Sequence, residues 1–107
     1  MGSDPHVVCI FRSGRTDRSA DQYEEWSNRI DLLVATMPGY IGHSSFRDDA
    51  SGRVLTVSYF ESLTHLVAWK AVPEHLEAQA LGRTAFYLEY EVEVAEIVRR
   101  YQWKSTE

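Results

Sequence analysis

The chain of 107 residues is long enough for one domain built around one hydrophobic core. Hydrophobic residues make up 44% and charged residues 25% of it, which is the balance of a globular protein. The net charge is −5, and the few basic residues are scattered along the chain. A nucleic-acid or anionic-membrane surface needs a clustered basic face, so the sequence predicts neither partner.

Cysteine content and hydropathy bear on where the protein works. Cys9 is the one cysteine, so no intramolecular disulfide can form, and it lies in an apolar run that predicts a buried thiol. No apolar run approaches the roughly 20 residues of a membrane helix, and the chain does not open with a signal-peptide pattern. We expect a cytoplasmic protein with one domain over residues 6–103. Residues 1–5 are interpreted as an N-terminal tail, for which a cloning remnant is one explanation, and residues 104–107 as a C-terminal tail.

The first two predicted elements are a strand and a helix. His6–Ser13 is rich in β-branched and aromatic residues and predicts a strand largely buried on both faces. Ser19–Gln22 matches a capping box, with Pro38-Gly39 as the stop signal of the helix that follows. The apolar stripe of this helix has spacings of three and four residues: Tyr23, Trp26, Ile30, Leu33 and Met37.

A hairpin is predicted next. The patterns of Tyr40–Arg47 and Arg53–Phe60 predict strands, and the Asp-rich and Gly-containing residues 48–52 between them predict a turn. The second of these strands has two distinct faces, because side chains alternate along a strand. One face carries Leu55, Val57 and Tyr59, and the other carries Val54, Thr56, Ser58 and Phe60.

The last third predicts a broken helix and a long strand. Glu61-Ser62 can cap a helix over Leu63–Val72, and Pro73 breaks it and restarts it toward Gly82. A strand is predicted from Tyr87 to about Tyr101, with acidic residues on one face. Its phase blurs at residues 95–97, which indicates a bulge there or a strand end that leaves its own sheet for a partner's.

The element order β-α-β-β-α-β predicts an α+β, ferredoxin-like antiparallel sheet with both helices on one face. The second face of such a sheet would carry several large apolar groups, which a monomer should not leave open. Covering it with the sheet of a second copy gives a two-fold arrangement, so we expect a homodimer.

Several short motifs together resemble one known family. They are Pro38-Gly39-Tyr40, Trp69, Pro73-Glu74-His75, Ala78-Gln79, Gly82-Arg83, Tyr87, Tyr90 and Arg100-Tyr101. In this combination the chain resembles the antibiotic biosynthesis monooxygenase (ABM) family from about Val7 to Tyr101. The resemblance implies a dimeric α+β barrel with a pocket in each subunit, between helices and sheet.

The resemblance also implies a choice of chemistries, since some members oxygenate aromatic quinols with O2 and no metal or flavin, and others bind or degrade heme. The heme-degrading branch uses an Asn on the first strand and a His about ten residues after a Trp on the second helix. Here Gln79 stands ten residues after Trp69, and the first strand contains no Asn. That difference weakens the heme interpretation, because the axial ligand would have to come from another histidine.

The candidate site residues each have a structural alternative. His75 is the candidate catalytic residue, as a base or as a donor to a bound phenol, and its alternative is a helix-start His against Trp69 or the backbone. Trp69 lines the pocket or simply fills the core. The other substrate-binding candidates have surface or strand-rim roles as their alternatives: Gln79, Arg83, Tyr87 and Tyr59. No ligand spacing indicates a metal site.

The leading hypothesis is a cofactor-independent monooxygenase that acts on a small aromatic or quinol-type substrate with O2. No cofactor is expected, because the substrate anion can itself pass an electron to O2. A heme-binding or heme-degrading enzyme and a non-catalytic dimeric module that binds a small ligand are the alternatives.

Overall fold

Four antiparallel strands and three helices make up the computed structural model, which describes residues 5–106. The strands pair in the order β2-β3-β1-β4, which confirms the predicted α+β ferredoxin-like sheet. Of the two predicted tails, residues 1–4 and 107 lie outside the described residues. In chain order the elements are β1 Val7–Arg15, α1 Ala20–Val34, β2 Tyr40–Arg47, β3 Val54–Phe60, α2 Leu63–Lys70, α3 Pro73–Leu81 and β4 Tyr87–Glu96.

The hydrophobic core lies between one face of the sheet and the helices. Phe60 and Leu66 are the largest fully buried side chains, and Trp69 is buried beside them. Val7 of β1 and Val34 of α1 complete this cluster. The cluster joins the first strand, the first helix and α2, as expected for helices that pack on one face of a sheet.

Helix α1 carries the predicted apolar stripe but begins and ends differently from the prediction. Ser19 has a left-handed backbone, with φ of 60°, and its side chain makes no cap hydrogen bond, so the predicted capping box is wrong. An N-cap needs extended backbone for its hydroxyl to reach the next turn. The hydroxyl of Thr16 instead accepts from the N–H of Arg18. The helix ends at Val34, and Met37 follows in a turn that still packs against the core.

The face of the sheet away from the helices is uncovered in the single chain. Val8, Ile10 and Val57 are only half-buried there, so the prediction that β1 is buried on both faces does not hold for one copy. Arg12 on this face pairs with the carboxylates of Glu91 and Glu93 on the neighbouring strand.

Strand β4 is shorter than predicted, and it is regular up to Glu96, where a bulge was one of the two expectations. Its pairing with β1 continues without a shift to Val7 opposite Glu96, and the irregularity lies at the other end, between Gly14 and Arg15. The N–H of Ile97 still bonds the carbonyl of His6, but β1 has no further residues to pair with. Residues 97–106 lie outside the strand, with three large side chains exposed: Val98, Tyr101 and Trp103.

The predicted break between α2 and α3 is confirmed. Val72 is extended, with φ of −64° and ψ of 130°, and Pro73 begins α3. The hydroxyl of Ser62 caps α2 by accepting from the N–H of His65, as predicted. After α3, residues Gly82–Phe86 form one π-helical turn that leads directly into β4. Within residues 5–106 no helix is both long and apolar enough to span a bilayer.

Candidate functional site

A cavity of about 500 Å³ lies between the helix-facing side of the sheet and the helices. Its size is that of a pocket for a small molecule. Small hydroxyl side chains from three strands line the sheet side: Ser13, Ser45, Thr56 and Ser58. Aromatic and aliphatic groups from all the helices line the rest, so the pocket is largely apolar with polar groups at defined points.

His75 lies on the wall of this cavity, half-buried in the first turn of α3. Its imidazole stacks on the indole of Trp69, with ring centroids 4.3 Å apart and planes 15° apart. Nδ1 of His75 lies 3.2 Å from the carbonyl oxygen of Trp69. A carbonyl can only accept, so Nδ1 carries the proton and donates it. In the neutral ring Nε2 then keeps its lone pair, which is what a proton acceptor needs.

Pro73 explains why the Trp69 carbonyl is available. In a continuous helix this carbonyl would accept from the N–H of residue 73. Proline has no N–H, so only the looser turn bond from Val72, at 3.1 Å, reaches the same oxygen from the backbone. The break between the two helices therefore leaves room for the His75 ring to bond the end of α2.

The surroundings of His75 favour its neutral form. Burial lowers the pKa of the imidazole below its usual 6.5, the bond to Trp69 opposes this shift, and the charge of Lys70 adds to it. Lys70 is the last residue of α2, and its charge also acts on the thiol of Cys9. Burial raises the pKa of this thiol above 9.0, and the lysine charge opposes the shift only in part. The site thus holds a neutral base, a protonated thiol and a cation near one another.

An aromatic cluster forms another part of the cavity wall. Phe11 packs edge-on against Tyr87 and stacks on Tyr90, with centroid distances of 5.5 Å for both pairs. Tyr23 contacts both Phe86 and Tyr87 edge-on. Burial, and after it the neighbouring Tyr23, raises the pKa of Tyr87 well above its usual 10, so its hydroxyl keeps its proton. This part of the wall offers ring faces and the protonated hydroxyl of Tyr87.

A second polar group, missed by the sequence analysis, lies on β2. The hydroxyl of Tyr40 lies 2.5 Å from Nδ1 of His43, and Nε2 of His43 lies 3.7 Å from a carboxylate oxygen of Asp31 on α1. All three residues line the cavity. Burial, and then the charge of Asp31, raises the pKa of Tyr40.

A bulge explains why this group was missed. Residues 40 and 43 of a regular strand point to opposite faces. The register shifts between Tyr40 and Gly42, so Tyr40 and His43 both face the cavity. A glycine inside a predicted strand is a known sign of such a bulge, and Gly42 was the one signal that could have placed the two side chains together.

The structure brings four of the six predicted site residues to the cavity: Trp69, His75, Gln79 and Tyr87. Arg83 is exposed outside it, where its guanidinium approaches the hydroxyl of Tyr90 at 3.4 Å. Tyr59 also lies outside it, because it alternates with Ser58 and Phe60 and faces the uncovered side of the sheet. Within residues 5–106 no group of three or more potential metal ligands is clustered.

Comparison with known proteins agrees with this architecture. The sequence profile described as antibiotic biosynthesis monooxygenase (ABM) matches residues 5–81, which is more than half of the chain. The chain belongs to the ABM family. YqjZ, an uncharacterized protein of Bacillus subtilis strain 168, is 35% identical over 96 residues, which cover 90% of this chain and 82% of the relative.

Several solved structures share the fold at low sequence identity. SnoaB from Streptomyces nogalater, described as a cofactor-independent oxygenase, superposes with a TM-score of 0.73 at 16% identity, over 95% of this chain and 100% of its own. Rv0793 from Mycobacterium tuberculosis superposes with a TM-score of 0.76 at 12% identity, over 90% and 98% of the two chains. At these identities the likeness shows the fold alone.

Proposed function

We propose that the protein is a cofactor-independent monooxygenase that oxidises a small aromatic or quinol-type substrate with O2. One observation carries this proposal: His75 lines a largely apolar cavity of about 500 Å³, and its Nδ1 proton is bonded to a carbonyl, so the neutral imidazole keeps an unprotonated Nε2. Membership of the ABM family and the fold shared with SnoaB support the same class of reaction.

The first step of the proposed reaction is removal of a phenolic proton. The substrate hydroxyl gives its proton to Nε2 of His75, and the ring becomes an imidazolium that still donates to the Trp69 carbonyl. The substrate is left as a phenolate. The ammonium of Lys70, which lines the same cavity, favours a negative charge in this part of the site.

The following steps take their electrons from the substrate. The phenolate passes one electron to O2, the resulting radical and superoxide combine at carbon, and the hydroperoxide loses water. For a hydroquinone the product is the hydroxyquinone: one oxygen atom of O2 stays on the ring, and the other leaves as water with two hydrogens from the substrate. The ring gives four electrons and O2 accepts four. The protein orients the ring, excludes water and stabilises the anion.

The heme alternative has less support from the residues of the cavity. The position that the heme-degrading branch fills with histidine is Gln79, and its neutral amide is not an axial ligand of heme iron in the usual protein sites. A binding module without turnover would use the same cavity. The oxygen-uptake measurement below separates both alternatives from the proposal.

We also propose that two copies associate through the uncovered face of the sheet, in the cytosol. The half-buried Val8, Ile10 and Val57 form the centre of this face, and the exposed Tyr101 and Trp103 follow β4 beyond the sheet. A second copy would cover both groups of apolar side chains. The single thiol of Cys9 is compatible with a reducing compartment.

The experiment that tests the function is oxygen uptake by metal-stripped protein with hydroquinones, catechols and anthrones. We expect uptake above the uncatalysed rate, and a loss of about 10²- to 10⁴-fold in kcat/KM for His75→Gln, because a positioned base contributes this much. His6→Gln is the matched control, since His6 is exposed and outside the cavity.

Uptake that is unchanged in His75→Gln would remove the base from the proposal. No uptake with any substrate would leave a binding module, unless heme added at one equivalent gives a shifted Soret band, which would favour the heme alternative.

A further inference from the structure

A second groove, of about 650 Å³, lies at the end of the sheet where β1 and β2 end and β3 begins. Of the residues that the structure describes, only Val54 lines both this groove and the main cavity. Three of the eleven Lys and Arg residues of the chain, whose net charge is −5, line the groove: Arg15, Arg47 and Arg53. Guanidinium groups gathered in one groove of an acidic protein create a local field that attracts anions.

Two of these three guanidinium groups have no carboxylate partner in the described part of the chain. Arg53 is neutralised, because its Nε lies 3.0 Å from a carboxylate oxygen of Glu89. Arg15 instead stacks on the ring of Tyr23, with its guanidinium carbon 3.4 Å from the ring centroid, and its Nε is buried without a hydrogen-bond partner. Arg47 is exposed at the end of β2 and also lacks an ion pair within residues 5–106. Two cations are therefore available to a ligand.

The strand register places these two cations on one side of the sheet. Arg47 and Ser13 pair with Val54 from opposite sides, so they lie two strand spacings apart, or about 10 Å. Arg15 follows two residues later along β1, which puts its Cα about 12 Å from that of Arg47. Two extended arginine side chains can meet on one small anion across this distance. Both lie on the helix-facing side, away from the uncovered face of the sheet.

A phosphate group with two negative charges fits this pair better than a carboxylate does. A planar carboxylate has two oxygens, and the fork of a single guanidinium occupies both. The three terminal oxygens of a phosphate can accept from two forks that approach from different strands. Ala20, the first residue of α1, also lines the groove, so the positive end of the helix dipole adds to the same field. Asp17 lines it as well, and its charge opposes an anion.

We propose that this groove binds a dianionic phosphate group, as the free ion or as the monoester end of a small molecule, through the guanidinium groups of Arg15 and Arg47. Asp17 limits the affinity. The site lies outside the cavity of the proposed monooxygenase and does not depend on that function.

An NMR titration of the unaltered protein at pH 8 and constant ionic strength tests the site. The probes are inorganic phosphate, methyl phosphate and dimethyl phosphate. The second pKa of a phosphate monoester is about 6, so methyl phosphate is a dianion at this pH, whereas dimethyl phosphate carries one charge. We expect saturable shifts of the amide signals of Gly52 and Ala20, which line the groove, and none at Gly39, which does not. Dimethyl phosphate should bind about five- to tenfold more weakly than methyl phosphate.

Inorganic phosphate distinguishes the two sources of the group. Equal affinity for inorganic and methyl phosphate would support a monoester ligand, because the methyl group then meets open space. Tighter binding of inorganic phosphate would support the free ion.

Three variants test the assigned residues with effects of opposite sign. Arg47→Gln should weaken methyl phosphate binding about tenfold, because it removes one charged fork. Arg29→Gln removes the same charge from an exposed position of α1 outside the groove, and should change the affinity by less than about twofold. Asp17→Asn should strengthen binding about twofold, since it removes a like charge from the exposed rim.

Two results in the unaltered protein would overturn the inference whatever the variants do: no saturable shift at Gly52 and Ala20, or equal affinity for methyl and dimethyl phosphate. Equal weakening by Arg47→Gln and Arg29→Gln would also overturn it, because the phosphate would then respond to the net charge of the protein rather than to this groove.

Discussion

The imidazole of His75 lies nearly parallel to the indole of Trp69, with ring centroids 4.3 Å apart, and its Nδ1 donates to the carbonyl of the same residue. Trp69 is also part of the buried core, together with Phe60 and Leu66. One residue therefore fixes the plane of the imidazole, fixes its tautomer and stabilises the fold. The candidate base is held by the core rather than by a mobile loop.

The pH dependence of activity should follow the ionisation of His75. Burial lowers the pKa of His75 below 6.5, so its base form should persist below neutrality. We expect kcat/KM for oxygen uptake to stay level above pH 6.5 and to fall along an acid limb whose apparent pKa lies below 6.5. Any residual activity of His75→Gln should lack this limb, whereas a limb of the same shape in the variant would assign it to another group.

The pH dependence of stability should carry the same signature. Below pH 6.5 His75 binds a proton more readily in the unfolded chain than in the folded protein, because its pKa is lower in the folded protein. The free energy of unfolding therefore decreases as the pH falls through this range. The stability that neutral His75 contributes is therefore complete above pH 6.5. Urea unfolding should show a smaller stability difference between the unaltered protein and His75→Gln at about pH 5.5 than at about pH 7.5. A constant difference would contradict the lowered pKa.

Truncation of Trp69 should cost stability as well as activity. The side chain is 6% exposed, and its removal leaves a cavity in the main cluster, so Trp69→Ala should lower the free energy of unfolding by about 3–5 kcal/mol. Val67→Ala on the same helix is the matched control, because Val67 is 57% exposed and should change stability by less than about 1 kcal/mol. Chemical unfolding of both variants measures the contrast, and similar losses would show that the core is not centred on Trp69.

Gly39 should tolerate no side chain, for two separable reasons. Its φ is +81°, and an added Cβ would lie 2.1 Å from Cγ of His65. Gly52 has a similar φ of +73° but open space around the added atom. Gly52→Ala should therefore cost about 1–2 kcal/mol for the backbone alone, and Gly39→Ala about 1–3 kcal/mol more because of the contact. Equal costs in urea unfolding would mean that His65 moves aside freely.

The proposed dimer predicts a concentration-dependent mass. Sedimentation equilibrium should give about twice the mass of one chain, and Val57→Asp at the centre of the uncovered sheet should reduce it to that of a monomer. Leu32→Asp is the control, since Leu32 is 76% exposed on α1 and away from this face. A monomer in the unaltered protein, or dissociation by the control alone, would contradict association through the sheet.

The sequence predicted the elements better than it predicted their ends. The alternation of Val54, Thr56, Ser58 and Phe60 defined the face of β3, and Pro73 located the helix break to the residue. The capping box predicted at Ser19 was wrong because a sequence pattern does not show whether the backbone before the helix is extended or left-handed. Strand β4 was predicted too long because the apolar and aromatic residues that follow Glu96 do not show that β1 has already ended.

The site was predictable where it depended on one helix and was missed where it depended on register. His75 and Gln79 are one turn apart on α3, and both line the cavity. Tyr40 and His43 meet only because the ladder shifts at Gly42. Arg83 was predicted as a substrate-binding residue because of the motif that contains it. It lies in the π-helical turn Gly82–Phe86, and its side chain is exposed.

Pro73 has a consequence for how this protein can evolve. It is not among the residues that line the cavity, yet its missing N–H leaves the Trp69 carbonyl with only the turn bond from Val72. The carbonyl can therefore also accept from His75, which fixes the imidazole nitrogen that holds the proton. A replacement at this position would restore a competing backbone donor without altering the shape of the wall. The acid–base character of the pocket is thus open to natural selection from a residue that no ligand touches.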